Sequence, residues 1–441
     1  MEQKHGKGSF WGLVPLLTFL VLYIITGVST QNFNSMPLMI GILIASAVAL
    51  MMHRKGEIDQ TTFAERVTKY CVGGGDDGLI LMVIVFLLAG GFYGVSKGMH
   101  AVDAVTNLGL DILPVKLILP GLFVIGCIIS FAMGTSMGTV AALMPIGVSL
   151  ALKIHGNMAL FCGTVVGSAM FGDNLSMISA SVIAATRTQD VSMMKKFKTN
   201  IAMLLPAIIV NLALLAMQPV GQGVHLSGNH PYDLLNLLPY ILVIILSFTG
   251  MHVILVLTLG ILTGVVIGVF HGDFSLVKSM TVIHNGMMSM EDMALIAILV
   301  GGLVALMDYL GGIDWIINAL TRKIKSAKGG EFAIAGLVSL LDIITTNNTV
   351  SIITAGPLAK DIGDQFGISA PRIASDLVTF SCAFNGLIPY GGQLLVAAGL
   401  AKISPMQIVP YSWYCLLMLI SSIGFILLSR DRKYVKGEKI F

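Results

Sequence analysis

Apolar runs of about 18 or more residues recur from end to end of this 441-residue chain, each long enough to cross a bilayer core. Lipid offers no partner for a backbone N–H or C=O, so a spanning segment must satisfy its own backbone as a helix does. The pattern predicts an all-α polytopic membrane protein. Charged residues make up only 11% of the chain, against roughly 25% in an average soluble domain. With so few, the net charge of +3 carries no nucleic-acid signal, and the placement of the charges matters more than their sum.

The first half gives runs near 11–28, 36–52, 78–96, 115–133, 135–152, 158–183 and 199–217. The second gives 237–251, 252–270, 292–310, 331–345, 348–359, 372–400 and 407–428. An amphipathic stretch, 57–75 or 273–290, separates the second and third runs of each half, as expected of a helix lying in the membrane interface. The first run, from Trp11, has a basic lead but no small-residue cleavage site after it, and reads as a span.

Two polar clusters interrupt this pattern at matching places. Gly134-Thr135-Ser136-Met137-Gly138-Thr139 and Thr345-Thr346-Asn347-Asn348-Thr349 both lead into an apolar run that reaches a proline, Pro145 or Pro357. A second interruption follows in each half: Phe171-Gly172-Asp173-Asn174-Leu175-Ser176, then Asn385 to Gln393 with Gly386, Pro389, Gly391 and Gly392. Glycine and proline break the helical ladder and free backbone groups. Interrupted segments in corresponding halves are the best sequence pointer to a transporter's binding site. We therefore read residues 1–217 as one repeat and 237–441 as the other, with 218–236 as an external linker.

Lysine and arginine set the orientation. With the N-terminus inside, Arg54, Arg66, Arg187, Lys195, Lys196, Lys360 and Arg372 all fall on that side, together with the basic termini. Loops 29–35 and 218–236 hold no lysine or arginine and go outside. The fit needs an odd number of crossings per half, so the two repeats are inverted. Clusters 134–139 and 345–349 are expected at the tips of two re-entrant hairpins, leaving about 10 full spans, because 348–359 is short for a crossing and contains Pro357.

Asp173 is the leading candidate. A carboxylate at mid-bilayer costs at least about 2.5–3.5 kcal/mol on insertion scales and is rarely idle. Proton and Na+ can compete for it, although an Asp after a helix break also serves as an N-cap. Asn174, Ser176, Thr135, Ser136 and Thr139 are expected to complete its surroundings. Thr345, Thr346, Asn347, Asn348 and Thr349, with Asp342, Asn385 and Tyr390, form the second half's candidate ion- or substrate-binding set. The tip asparagines are also natural turn formers, and Asp342 is equally readable as a capping or tip-packing acid. Cys71, Cys127, Cys162, Cys382 and Cys415 have no metal-ligand spacing, so no cofactor is expected beyond a coupling ion.

The run Gly167-Ser168-Ala169-Met170-Phe171-Gly172-Asp173-Asn174-Leu175-Ser176 resembles the signature of NhaC-type Na+/H+ antiporters. Leu299-Val300-Gly301-Gly302-Leu303-Val304, followed by Gly311-Gly312-Ile313-Asp314-Trp315, does so too. The resemblance implies inverted repeats, paired hairpins, broken helices meeting at the midplane, a dimer in many members, and elevator-like motion. The family pattern continues Gly-Asp-Lys, then Ser-Pro-Leu-Ser-Asp-Thr-Thr. Here Asn174 stands in place of the lysine, Met177 of the proline and Ala180 of the second aspartate. One positive and one negative charge are lost together.

The expected function is cation-coupled secondary transport in the inner membrane, with both termini cytoplasmic. Na+ and H+ would compete at Asp173. The alternative is a Na+- or H+-coupled permease for amino acids or small carboxylates. An intramembrane protease is disfavoured because no histidine accompanies a deep serine, and a channel because no ring of filter loops recurs.

Overall fold

The computed structural model describes residues 8–30, 35–54, 61–112, 114–177, 179–219, 233–249, 251–321, 324 and 326–428. Most of the expected external linker and the far ends of both termini lie outside them. Within them the protein is helical. The first half runs α1 (Val14–Ser29), α2 (Leu38–Met51), α3 (Phe63–Gly74), α4 (Asp77–Gly98), α5 (Ala101–Ile112), α6 (Ile118–Met133), α7 (Ser136–Lys153), α8 (Met158–Leu175), α9 (Ala180–Thr188) and α10 (Met193–Ala216). The second runs α11 (Leu238–Phe248), α12 (Val253–His271), α13 (Leu276–Met288), α14 (Glu291–Tyr309), α15 (Gly312–Thr321), α16 (Ala327–Thr345), α17 (Asn348–Phe366), α18 (Ala370–Asn385), α19 (Gly392–Ala401), α20 (Pro405–Ile408) and α21 (Trp413–Leu428). Up to α19 the order of elements in the second half repeats that in the first.

Among the described residues five helical stretches are long and apolar enough to cross a membrane, and seven if each of two bent pairs counts as one. Five shorter apolar helices, among them Leu38–Met51 and Trp413–Leu428, accompany them. The amphipathic segments become α3 and α13. Thr62 and Glu65 close a reciprocal capping box at the start of α3: Glu65 N donates to the Thr62 hydroxyl at 3.2 Å, and Thr62 N to the Glu65 carboxylate at 2.6 Å. Two of the N-H groups left open at the helix start are thereby satisfied. Ser275 caps α13 in the simpler way, accepting from Lys278 N at 3.2 Å.

These two helices cross between halves. Helix α13 lies along α4, and α3 along α14. The α4–α13 crossing requires glycine on both sides, because a Cβ on Gly90 would stand 2.3 Å from the Gly286 carbonyl oxygen, and one on Gly286 equally close to that of Gly90. Small residues let backbones approach when lipid supplies no hydrophobic drive to helix association. Each half is thus clasped by the other's amphipathic helix.

Around this frame sit the helix pairs α6/α7 and α16/α17 with α8, α9, α18 and α19. Helix α17 is longer than its apolar run suggested, continuing through Pro357 to Phe366. Lys360, Asp361 and Asp364 carry the helix beyond the apolar limit of 359. Hydropathy marks where a helix leaves hydrocarbon and not where its backbone ladder stops.

Candidate functional site

Both expected tips form the same local structure. Helix α6 ends at Gly134 with φ +62°, and α16 at Thr346 with φ +51°. Thr135 and Asn347 are then extended, and a new helix starts at Ser136 or Asn348. Glycine takes the left-handed conformation without strain, whereas a threonine held there costs about 1–3 kcal/mol, which the surrounding structure must offset. Superposing the halves on these two turns pairs Ser136 with Asn348, Pro145 with Pro357, Asp173 with Asn385 and Ser130 with Asp342. Each half therefore carries one deep carboxyl, on α8 in one half and on α16 in the other.

Asp173, only 8% exposed, is where the interruptions meet. Its Oδ2 accepts from Ser136 Oγ at 2.8 Å and from Asn348 Nδ2 at 3.0 Å. Its Oδ1 accepts from Ser179 Oγ at 2.6 Å and Ser181 Oγ at 3.1 Å, beyond the break after α8. Gln393, at the start of α19, donates from Nε2 to Ser136 Oγ at 2.9 Å. Three of the four interrupted regions thus hydrogen-bond one carboxylate, and the fourth reaches it through Ser136; hydrogen bonds to a charged group are the stronger kind.

Asp342 anchors a second cluster and is fully buried. Its Oδ1 accepts from Ser381 Oγ at 3.2 Å and more loosely from Ser351 Oγ at 3.4 Å, and Asn385 also reaches this carboxyl. Thr345 joins through a 2.8 Å hydrogen bond with Ser351. The two clusters touch at Asn348, whose Nδ2 also lies 3.4 Å from Cys382 Sγ.

The atoms left over all point to one kind of ligand. Asn348 Oδ1, Asn385 Oδ1, Gln393 Oε1 and Asp342 Oδ2 are buried without a hydrogen-bond partner. All four are acceptor oxygens. Buried polar atoms are rarely unpaired without a reason, and an oxygen-lined site short of donors suits a hard cation.

Other expected residues have different roles. Asn174 turns away from the tips: its Oδ1 accepts from Asn200 Nδ2 at 2.6 Å, and its Nδ2 lies 3.3 Å from Thr379 Oγ1. Asn347 folds back to cap its own helix, accepting from Thr349 N at 3.1 Å and Val350 N at 3.2 Å. Tyr390 is a strut, donating to the Ile343 carbonyl at 2.9 Å while its ring meets Phe19 of α1 edge-on at 5.6 Å. Thr139 bonds the Thr135 carbonyl at 3.0 Å. Ser176 is the buried C-cap of α8, and its N–H donates to the Gly172 carbonyl at 2.7 Å. Thr346 forms the turn, and Thr135 and Thr349 flank the two tips.

Lys196 corrects the sequence reading. Expected at the cytoplasmic surface, it is 1% exposed, and its ammonium donates to the Asn174 carbonyl at the broken end of α8. Asn200 Nδ2 reaches the same carbonyl at 3.1 Å. A helix C-terminus carries unpaired carbonyls and partial negative charge, which a cation there neutralises. Position 174 lacks the lysine of the resembled pattern, yet a lysine from α10 arrives at its backbone. From sequence Ser179 and Ser181 are equally readable as helix-contact residues and Gln393 as a pocket residue; the structure brings all three to the cluster around Asp173.

A cavity of about 760 Å³ leads to the second tip, between α3, α14 and α15 on one side and α16 and α17 on the other. Arg54, Asp76, Asp308 and Asp314 line its walls, and Thr345 and Asn347 its end. Neither Asp173 nor Asn348 lines it.

The sequence profile of the Na+/H+ antiporter family matches residues 9–218 and 232–430. The chain belongs to the Na+/H+ antiporter family. Among related antiporters, the Na(+)/H(+) antiporter NhaC of Bacillus subtilis is 24% identical, the alignment covering 96% of this chain and 99% of that one. NhaC of Alkalihalophilus pseudofirmus is also 24% identical, over 66% and 69%. The malate-2H(+)/Na(+)-lactate antiporter of B. subtilis is 20% identical over 91% of each. The YdaH transporter of Alcanivorax borkumensis aligns with 95% of this chain and 98% of its own at a TM-score of 0.41 and 14% identity, a likeness too loose to argue from.

Proposed function

We propose that this protein exchanges Na+ for H+ across the inner membrane, with Asp173 as the group for which the two cations compete. The observation that carries the reading is the meeting of both tips and the first broken helix at Asp173, with Gln393 of the second joined through Ser136, beside buried oxygens that lack donors. In the cation-bound form Ser136, Asn348, Ser179 and Gln393 turn oxygen toward Na+. In the proton-bound form the carboxyl itself is neutral. Only a state neutralised by one or the other moves cheaply through a low-dielectric core, and this is what couples the two fluxes.

On this reading the halves are inverted repeats, α6/α7 and α16/α17 are re-entrant hairpins, and the core slides against the clasped frame. Arg54 at its wall supports, by the bias of basic residues toward the inside, a cytoplasmic opening for the 760 Å³ cavity and an inward-open state. The unit is compatible with a homodimer and with lipid around its apolar face.

A second reading has one specific support. The relative named as a malate-2H(+)/Na(+)-lactate antiporter aligns over 91% of both chains, and the cavity is roomy enough for a small carboxylate. Everted vesicles or proteoliposomes separate the two. Proton movement on adding Na+ alone supports Na+/H+ exchange; proton movement only when lactate, malate or an amino acid is also present supports the carboxylate reading.

A further inference from the structure

Asp342 is the second deep carboxyl, and it stands where negative charge is disfavoured. It lies in the last turn of α16, which ends at Thr345, and Asn385, the last residue of α18, reaches its carboxyl. Both helices therefore present the negative end of their dipole to the same acid. None of the ion pairs among the described residues involves Asp342. An uncompensated carboxylate in a dry interior costs several kcal/mol, so this one needs a cation or a proton.

The oxygens around it choose between the two. Asp342 Oδ1 accepts from Ser381 Oγ at 3.2 Å and Ser351 Oγ at 3.4 Å, while Asp342 Oδ2 and Asn385 Oδ1 have no donor. Asp342, Ser351, Ser381 and Asn385 are all buried. A proton would serve one oxygen. A hard cation answers to several at once, and the hydroxyls of Ser351 and Ser381 can rotate to offer it lone pairs. The donors to Asp173, namely Ser136, Ser179, Ser181 and Asn348, include none of these residues. The two carboxyls thus have separate ligand sets.

A route to the Asp342 set runs through printed contacts with the cavity wall. Thr345 lines the 760 Å³ cavity and shares a 2.8 Å hydrogen bond with Ser351, which in turn donates to Asp342. Asp76, Asp308 and Asp314 outnumber Arg54 on the same walls, and a cleft lined mainly by one sign of charge concentrates counter-ions.

We propose that Asp342, Asn385, Ser351 and Ser381 form a second Na+ site, loaded from the cavity past Thr345 and distinct from the exchange site at Asp173. The chain then carries two cations. Each carboxylate neutralises one Na+, so both sites fill without a net charge building up in the core. The identity of the ion rests on the Na+/H+ exchange reading.

Equilibrium binding of radiolabelled Na+ to purified protein at alkaline pH, where protons compete least, counts the sites. The wild type should bind two Na+ per chain. Asp342→Asn should bind one, with the remaining site close to its wild-type affinity, and Asp173→Asn should also bind one. Asn385→Ala keeps the carboxyl and should weaken one site by about ten-fold or more, the scale on which supporting partners of a metal site act. One Na+ per chain in the wild type overturns the second site, as does a count of two or of none in folded D342N. Should D342N fail to fold, Asn385→Ala decides, and two unchanged affinities in it overturn the site. No Na+ binding by the wild type would instead sink the exchange reading, and the second site with it.

Discussion

Ser136 and Asn348 donate to the same atom, Oδ2 of Asp173, although they begin helices about 210 residues apart at matching positions of two halves. The geometry makes the carboxylate a joint between halves. Whatever neutralises Asp173 loosens or tightens both tips together, because either donor must release the oxygen before a cation can take it.

Asp173→Asn should abolish Na+-dependent proton flux to background while leaving folded protein in the membrane. The amide keeps the shape and loses the charge that the two cations share. Transport in proteoliposomes, with a thermal-unfolding profile as control, checks it; coupled flux at the wild-type rate would remove Asp173 from the mechanism.

Ser136→Ala and Asn348→Ala should each raise the apparent KM for Na+ by about ten-fold, about 1.4 kcal/mol, since each removes an oxygen that turns toward Na+ in the cation-bound form. The double variant should cost less than the sum, because both act through one oxygen. Initial rates against Na+ concentration give the answer.

Competition fixes the sign of the pH dependence. Protonation and Na+ binding exclude each other on one carboxylate, so apparent Na+ affinity should fall as the proton concentration rises. Loss of affinity by about ten-fold per pH unit means one proton excluded per Na+ bound, and about 100-fold means that Asp342 is protonated together with Asp173. Isothermal titration of purified protein with Na+ across pH distinguishes these slopes.

Lys196→Met should slow exchange by about ten-fold or more, because the broken end of α8 loses the cation on its carbonyl and Asp173 loses its positioning. Asn200, which reaches the same carbonyl at 3.1 Å, holds the break in part, so the protein should still fold. A rate lowered with Na+ affinity nearly kept is the expected signature.

Gly286→Val should destabilise the frame without touching the site. Its branched side chain has no room against the Gly90 backbone, and overpacking of this kind costs about 1–3 kcal/mol or more. A lowered unfolding temperature in detergent, with Na+ affinity unchanged in the surviving folded fraction, is the expected result.

Much of this was legible in the residues. The polar clusters at 134–139 and 345–349 and the breaks near 172–176 and 385–393 stand out because hydrocarbon makes any polar residue conspicuous. Asp173 stood out on the same ground, and the structure brings it to Ser136 and Asn348. The roles of the neighbours were less visible. Asn347 and Asn348 are adjacent and identical in type, yet one caps a helix and the other reaches Asp173. Which does which depends on a turn of about 100° per residue around the helix start, not on composition.

The chain's own pattern determined the helical class, the two matched halves and the positions of the interruptions, since apolar length and polar breaks act through local backbone chemistry. Only the folded structure decided that Lys196 leaves the surface for the Asn174 carbonyl, that Asn174 turns toward Thr379 and Asn200, and that Asp376 lies fully buried near Glu331 and Arg372. Those outcomes depend on which helices lie side by side. Whether a charge is solvated or buried is set by neighbours far away in the sequence, which only packing brings near.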